Sequence, residues 1–216
     1  MDRKSRAIKL VAKLKKLYPK PKTELTYKTN FQLLVAVMLS AQCTDKKVNE
    51  CTDNLFKKYK TAKDFLKIKE KEIASIPFFR NKAKNIARAA KVVERDFKGR
   101  IPKTIEELIT LPGVAYKTAN VVLGGVHGIW DGIATDTHVR RFALRFDLTN
   151  NNDLTKISKD LEELIPKKDW RYVNNGFVLY GRYVCPARKH DCAEHPLTKI
   201  WPKANEIWVK AGIISK

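Results

Sequence analysis

The sequence predicts an all-α protein. Apolar residues recur at helical spacing in most segments, convincing period-2 strand patterns are absent, and short polar or proline-bearing breaks separate the segments. With 216 residues, of which 44% are hydrophobic, the chain can bury a sizeable core in one large domain or two small ones.

The predicted helices follow one another along the whole chain. The first, at about residues 3–18, carries an apolar stripe through Leu10 and Leu14, and two prolines in "YPKPKTELTYKTN" break the pattern after it. Asn30 is predicted to cap the strongly apolar helix "FQLLVAVMLSAQ". Further helices are predicted in "YKTANVVLGGV" and "THVRRFALRF", and at about 45–59, 62–74, 81–97, 104–110, 153–165, 169–184 and 202–211.

The charge balance is strongly basic. Lys and Arg number 44 against 23 Asp and Glu, and the resulting net charge of +21 indicates a polyanionic partner, with nucleic acid favoured. An anionic membrane would also attract this charge, but the sequence has no apolar run of about 18 residues, and "MDRKSRAIKL" lacks a signal-peptide core. Four widely spaced cysteines fit a reducing compartment. We therefore expect a cytoplasmic protein, nucleoid-associated in a prokaryote, that does not bind membranes.

The stretch "ELITLPGVAYKTA" has the pattern of a helix, a tight turn and a second helix. Pro112 is predicted to stop the first helix, and Gly113 permits a backbone angle that other residues resist. The amides from Gly113 to Ala115 are then expected to be free at the start of the next helix, where such amides bind phosphate. An ordinary interhelical connection fits these local residues equally well, and the net charge favours the phosphate site.

Several segments together resemble one family of proteins. "LPGVAYKTANVVL" followed by "IATDTHVRR" resembles the helix-hairpin-helix and aspartate motif of the endonuclease III family of DNA glycosylases. The similarity extends to "LLVAVMLSAQCTDKKVN", "IPFFRNKAKNI" and "LYGRYVCPARKHDC", and so covers nearly all of the chain. The resemblance implies a bifunctional enzyme of base excision repair, which excises oxidised pyrimidines and then cuts the strand at the abasic site.

The resemblance also implies an architecture. It predicts two helical lobes with a DNA-binding cleft between them: a central lobe, 23–132, with the hairpin, and a second lobe made of 1–22 plus 133–216. The second lobe would contain a degenerate cysteine loop, 185–201. The implied partner is double-stranded DNA with a damaged base or an abasic site, bound by a monomer.

Two residues match the catalytic positions of the family. Lys117 matches the nucleophile, whose amine attacks the sugar C1′ and forms a Schiff base, a reaction that arginine cannot perform because it stays protonated. A solvated helix lysine is the alternative interpretation. Asp136, 19 residues later, would stabilise the cationic transition state or assist proton transfer. It also suits a helix N-cap, and both roles are compatible. His138 is expected to be structural or to contact phosphate.

Other residues match positions that open the DNA. Gln42 corresponds to the glutamine that inserts opposite the lesion, although a polar residue that ends an apolar helix is equally ordinary. Phe78 stands where family members place an apolar wedge, with core packing as the alternative. Asp45 lies in the family's pocket region. The candidate phosphate contacts are the hairpin residues Gly113 and Ala115, and the basic side chains Arg80, Lys82, Lys84, Arg140, Arg141, Arg188 and Lys189.

The hairpin departs from the family pattern at two positions. Ala115 replaces the second glycine that is usual in the family, and Tyr116 stands where a basic residue often precedes the lysine.

The cysteine loop also departs from the family pattern. Many relatives bind a [4Fe–4S] cluster through four cysteines spaced C-x6-C-x2-C-x5-C. Here Cys185 and Cys192 keep the first spacing, but His195 and Trp201 occupy the remaining two positions. Because two ligands cannot hold such a cluster, we expect no iron–sulfur cluster, no other cofactor and no metal, and a loop held by packing of Trp201, Pro186 and Pro196. A zinc site from Cys185, Cys192 and either His190 or His195 is the alternative.

Two rival functions remain open from the sequence. A monofunctional glycosylase for mismatched or alkylated bases would activate water instead of an amine, and Lys117 argues against it. A noncatalytic DNA-binding module would bind DNA without cutting it.

Overall fold

The computed structural model of the protein describes residues 1–209 and confirms the all-α prediction, since no β-strand occurs in this range. Three 3₁₀ turns, at Glu70–Ile73, Lys167–Asp169 and Pro202–Asn205, and a π-helical segment, Tyr172–Gly176, accompany the α-helices. The α-helices are α1 (Arg3–Leu17), α2 (Asn30–Ser40), α3 (Asp45–Lys58), α4 (Ala62–Phe65), α5 (Phe79–Phe97), α6 (Ile105–Ile109), α7 (Tyr116–His127), α8 (Thr137–Arg145), α9 (Leu154–Leu164) and α10 (Phe177–Tyr183).

The chain forms two compact units. The central unit is Thr23–Ile129, and the second unit combines Met1–Lys22 with Trp130–Lys216. Each unit has its own cluster of buried apolar side chains. The structural division after Ile129 lies three residues before the one expected at 132.

Helix α2 lies at the centre of the central unit. It is apolar on all sides, and its residues from Phe31 to Leu39 are buried, as expected for a helix surrounded by others. Helix α7 packs closely against α2. A Cβ added at Gly125 of α7 would lie only 2.6 Å from Cδ2 of Leu33 in α2. This packing fixes the position of the hairpin helix α7 on the core of the unit.

The core of the second unit is aromatic. Phe142 of α8 stacks on Phe177 with ring centroids 5.3 Å apart and meets Tyr180 edge to face at 5.4 Å. Asn174 in the π-helical segment donates to the carbonyl of Gly132 and accepts from the amide of Ala134. These two bonds hold the segment that leads into α8.

Three predicted boundaries differ from the structure. Thr29, not Asn30, caps α2, since its hydroxyl accepts from the amide of Gln32 in a capping box. The helix expected at 62–74 is the short α4 followed by a 3₁₀ turn, because the Glu72 carboxylate accepts the amide of Lys69 and starts a new turn there. In place of the helix expected at 202–211, the structure has a 3₁₀ turn at Pro202–Asn205, and residues 206–209 are not helical. The last two positions of the expected helix, 210 and 211, lie outside the described residues.

No helix among residues 1–209 is long and apolar enough to cross a membrane.

Candidate functional site

The hairpin between α6 and α7 depends on Gly113. Its φ of +81° lies in the left-handed region, and a Cβ there would lie 2.8 Å from Asn85 Cβ and 3.0 Å from Met38 Cε. The turn therefore packs directly on α5 and α2. The amide of Val114 donates to the Leu111 carbonyl at 3.0 Å, so the expectation that all three amides from Gly113 to Ala115 are free is wrong for the middle one.

The N-terminus of α7 has no side-chain cap. Its N-cap residue is Ala115, an exposed residue whose methyl group accepts no hydrogen bond. By contrast, Thr or Asp side chains cap α1, α2, α3, α4, α6, α8 and α9. The first amides of α7 find no acceptor among residues 1–209, and they carry the positive end of the helix dipole. This is a suitable binding site for an anionic group.

Lys117 lies in the first turn of α7, beside that uncapped end. Its side chain is exposed and makes no hydrogen bond or ion pair within residues 1–209. The neighbouring Tyr116 is 51% exposed. The amine of Lys117 is therefore accessible to a ligand bound at the helix end.

Asp136 is the N-cap of α8 in the second unit. Its Oδ1 accepts from the amides of His138 and Val139, both at 2.8 Å. The side chain is half-buried, and Oδ2 accepts no hydrogen bond from the part of the chain that the structure describes. The cap thus fixes a carboxylate that keeps one oxygen available.

Two residues of α8 that were candidates for DNA contacts, His138 and Arg141, pack against α10. A Cβ at Gly181 would lie 2.2 Å from His138 Nδ1, so His138 packs where only glycine fits. Arg141 is 3% exposed and donates to the carbonyls of Cys185 and Pro186 at 2.8 and 3.2 Å. Burial lowers the pKa of this guanidinium. The structure therefore gives Arg141 a role in holding the cysteine loop and does not expose it for the expected phosphate contact.

The two residues expected to open the DNA share an unusual conformation. Gln42 (φ 56°) and Phe78 (φ 58°) both lie in the left-handed region, which non-glycine residues rarely adopt. Both are exposed, and Phe78 has 63% of its surface accessible. Core packing therefore does not explain Phe78. Asp45, the pocket candidate, is half-buried in the first turn of α3, directly after its cap Thr44.

The remaining basic candidates differ in accessibility. Lys82 is half-buried and donates to two backbone carbonyls of the central unit. Arg140 donates to Asn152. Exposed side chains are those of Arg80, Lys84, Arg188 and Lys189.

The expectation of no metal and no iron–sulfur cluster in the cysteine loop is wrong. The Sγ atoms of Cys185 and Cys192 and a ring nitrogen of His195 lie within 4.8 Å of one another, and they form a group that can hold a metal ion. The expectation of an empty loop counted cluster thiolates alone, and the zinc alternative left His190 and His195 open. His195 stands at the third ligand position of the family pattern, and imidazole binds zinc and also iron in some clusters. The structure selects His195 over His190 as the third donor.

Without a metal, the environment of this group favours the metal-binding form of His195 but not that of Cys185. Burial lowers the pKa of His195, and nearby positive charges act in the same direction, so the imidazole favours the neutral form that binds metals. Burial raises the pKa of the Cys185 thiol, whereas the Arg145 guanidinium opposes this rise. A bound metal would supply a crosslink between residues 185 and 195.

Arg145 is a residue of this site that the sequence did not single out. It is 1% exposed, and its guanidinium donates to Cys185 Sγ at 3.0 Å and to Cys192 Sγ at 2.8 Å. It also donates to the Ala204 carbonyl at 2.8 Å. The available signal was the spacing of Arg141 and Arg145, which lie one turn apart on α8.

Comparison with known proteins identifies the class. The family model described as HhH-GPD superfamily base excision DNA repair protein matches residues 35–167, more than half of the chain. The helical fold, the hairpin and this match together define a base excision repair DNA glycosylase of the helix-hairpin-helix superfamily.

Similar proteins identify the family within this superfamily of DNA glycosylases. An endonuclease III from Synechocystis sp. is 46% identical over 207 residues, which cover 94% of each chain. An endonuclease III from Bacillus subtilis is 40% identical over 87% of this chain and 88% of its own. Among solved structures, a trapped covalent intermediate of endonuclease III with DNA matches with a TM-score of 0.86 and 35% identity, over 95% of this chain and 99% of its own. The chain belongs to the endonuclease III family, as its motifs predicted.

Proposed function

We propose that this protein is a bifunctional DNA glycosylase and abasic-site lyase that excises oxidised pyrimidines through a Schiff base on Lys117. The observation that carries the proposal is the exposed amine of Lys117 in the first turn of α7, whose helix end lacks a side-chain cap. The related structure of a trapped covalent endonuclease III–DNA intermediate supports a covalent mechanism.

The neutral amine of Lys117 attacks C1′ of the damaged nucleotide. A bond forms between Nζ and C1′, the glycosidic bond breaks, and the base leaves with the bonding electrons and takes up a proton. The sugar ring opens to the imine, which acidifies the C2′ proton. Loss of that proton breaks the bond between C3′ and its phosphate oxygen, and the strand is cut on the 3′ side of the site.

The hairpin binds the DNA backbone next to this amine. Gly113 lets the turn pass close to a phosphate, and the uncapped amides at the start of α7 donate to the phosphate oxygens. Ala115 presents a small side chain at the same place. Lys189 and the other exposed basic side chains add attraction that does not depend on sequence.

Asp136 stabilises the positive charge that develops on the sugar. Because Oδ1 is fixed by two amides of α8, Oδ2 is presented from a rigid helix end. His138 positions this end by packing against Gly181.

Gln42 and Phe78 maintain the extruded state of the nucleotide. Phe78 is an exposed apolar ring that wedges between base pairs, and Gln42 fills the space opposite the extruded base. Asp45 contacts the extruded base in its pocket. The protein acts as a monomer in the cytoplasm, on double-stranded DNA that carries a damaged base or an abasic site.

Borohydride trapping tests the proposal. Wild-type protein incubated with an abasic duplex and sodium borohydride is expected to yield a covalent protein–DNA band, and Lys117→Ala is expected to yield none. Lys117→Arg is the matched control, because it keeps the positive charge but cannot form an imine. It should bind the duplex and give no adduct. An adduct of normal yield in either variant would rule out Lys117 as the nucleophile.

A further inference from the structure

The C-terminus of α2 leads directly into Gln42. The helix ends at Ser40 without a basic residue in its last turn, and its cap residue Ala41 has non-helical backbone angles. The amide of Cys43 returns to the Ser40 carbonyl at 3.0 Å, so a tight turn encloses Ala41 and Gln42. The carbonyls at such a helix end need donors from elsewhere in the protein.

Lys82 of α5 supplies these donors. Its Nζ donates to the carbonyl of Leu39 at 2.8 Å and to the carbonyl of Ala41 at 2.6 Å. A lysine ammonium has three N–H groups, so two of them are committed to this helix end. Burial lowers the pKa of Lys82, which agrees with a side chain turned into the protein.

The backbone of Lys82 is tied to the second strained residue. Its amide donates to the carbonyl of Phe78 at 3.0 Å, in the first turn of α5. Lys82 therefore joins two segments. Its side chain bonds to the turn that contains Gln42, and its amide bonds to Phe78. Left-handed backbone at two non-glycine residues costs free energy and persists where surrounding contacts fix it.

We infer that Lys82 is a positioning residue, which holds Gln42 and Phe78 in their projecting conformations before DNA arrives. This inference rests on the proposed function, because it assumes that these two side chains enter the DNA stack. Preorganisation of this kind lowers the entropic cost of inserting a side chain. The sequence suggested a phosphate contact for Lys82, and its two carbonyl partners make that role unsuitable.

The test uses Lys82→Met, which keeps the length of the side chain but removes the donors. Excision from a duplex with an oxidised pyrimidine should slow about tenfold under single-turnover conditions, as expected for the loss of a charged hydrogen-bond donor. Borohydride trapping on a single-stranded abasic oligonucleotide should change less than about twofold, because no base stack needs to be opened. Lys82→Arg retains donors and should recover most of the duplex activity.

A matched control is Lys91→Met, an exposed lysine nine residues further along α5 and therefore on its opposite face. It should leave both rates unchanged. The double variant Lys82→Met with Gln42→Ala should be slowed by less than the product of the two single effects, because part of the contribution of Lys82 acts through Gln42. Equal slowing on single-stranded and duplex substrates, or fully additive effects of the two substitutions, would overturn the inference.

A measurement without DNA separates this inference from the proposed function. Hydrogen exchange of the Cys43 amide in the free protein should accelerate about tenfold in Lys82→Met and stay unchanged in Lys91→Met. Unchanged exchange in Lys82→Met would contradict the positioning role, whatever the activity results. Failure of the wild-type protein to form any adduct would contradict the proposed function and would leave the exchange result to decide the role of Lys82.

Discussion

The Oδ1 atom of Asp136 accepts a hydrogen bond from the backbone amide of Val139 at 2.8 Å. This bond caps α8 and fixes the orientation of the carboxylate. A structural role and the proposed chemical role therefore depend on the same side chain, and substitutions can separate them.

Asp136→Asn keeps the capping oxygen and removes the charge. We expect a change in unfolding free energy of only a few tenths of a kcal/mol, since Asn caps helices about as well as Asp. Excision should slow by about a hundredfold or more, because the developing charge loses its counter-charge. Asp136→Ala should slow excision similarly and also cost about 1 kcal/mol of stability. Urea denaturation and single-turnover excision check these values, and an Asn variant of normal activity would refute the charge role.

Gly113→Ala tests the turn of the hairpin. The added methyl group meets Asn85 and Met38 at a positive φ, so we expect a loss of about 2 kcal/mol in unfolding free energy together with weaker DNA binding. Gly128→Ala is the control, since Gly128 also has a positive φ of +68° but no atom lies within 4 Å of its added Cβ. It should cost about 1 kcal/mol and leave DNA affinity unchanged. Equal losses in both variants would show that backbone strain alone explains the effect.

Cys192→Ser tests the metal-binding group. Elemental analysis for iron and zinc should find metal in the wild-type protein, and the substitution should remove most of it because one of three donors is lost. Cys43→Ser is the control, because Cys43 belongs to the central unit and is not a member of this group. It should retain the wild-type content. Wild-type protein without bound metal, or equal content in Cys192→Ser, would show that the three donors do not bind a metal.

Tyr59→Phe tests a hydrogen bond that supports the central unit. The Tyr59 hydroxyl donates to Glu72 Oε2 at 2.6 Å. Burial, the larger cause, and this bond, the second cause, raise the pKa of Tyr59 to about 12. We expect the variant to lose about 1 kcal/mol of unfolding free energy at neutral pH. Because the pKa is raised in the folded state, this contribution is complete below the unfolded value of about 10 and is lost as pH rises toward about 12.

Urea denaturation of wild-type protein and Tyr59→Phe across this alkaline range measures the difference. Tyr27→Phe is the control, because the half-buried Tyr27 makes no side-chain hydrogen bond within residues 1–209. A difference between wild type and Tyr59→Phe that stays constant above about pH 10 would contradict the assignment.

The fold class and most helices follow from local pattern, because apolar spacing and capping residues act over a few positions. The start of α8 is an example, since Asp136 is a cap in the sequence and in the structure. The interruption of the helix expected at 62–74 depends on the Glu72 carboxylate, which accepts the amide of Lys69, and no proline or glycine marks it. The cap at Thr29 was missed by one residue for a similar reason, since the side chain of Gln32, within α2, accepts the backbone amide of Thr29 and completes the capping box.

The site was partly predictable. Motif order selected Lys117, Asp136, Gln42 and Phe78 as candidates, although local sequence could not distinguish an exposed Phe78 from a core residue. The metal-binding group was only the alternative to a metal-free loop, because spacing could not choose between His190 and His195, and the closeness of His195 to two sulfurs is a tertiary property. Arg145 and Lys82 were missed as structural donors because their acceptors lie more than 40 residues away in sequence, at Cys192 and at Leu39.

Peptide mapping of the trapped complex tests directly whether Lys117 is the nucleophile. The protein is incubated with a duplex that carries thymine glycol, reduced with borohydride and digested, and the DNA-modified peptide is sequenced by mass spectrometry. We expect a single reduced adduct on Nζ of Lys117. An adduct on another lysine or on the N-terminal amine, or no adduct at all, would contradict it.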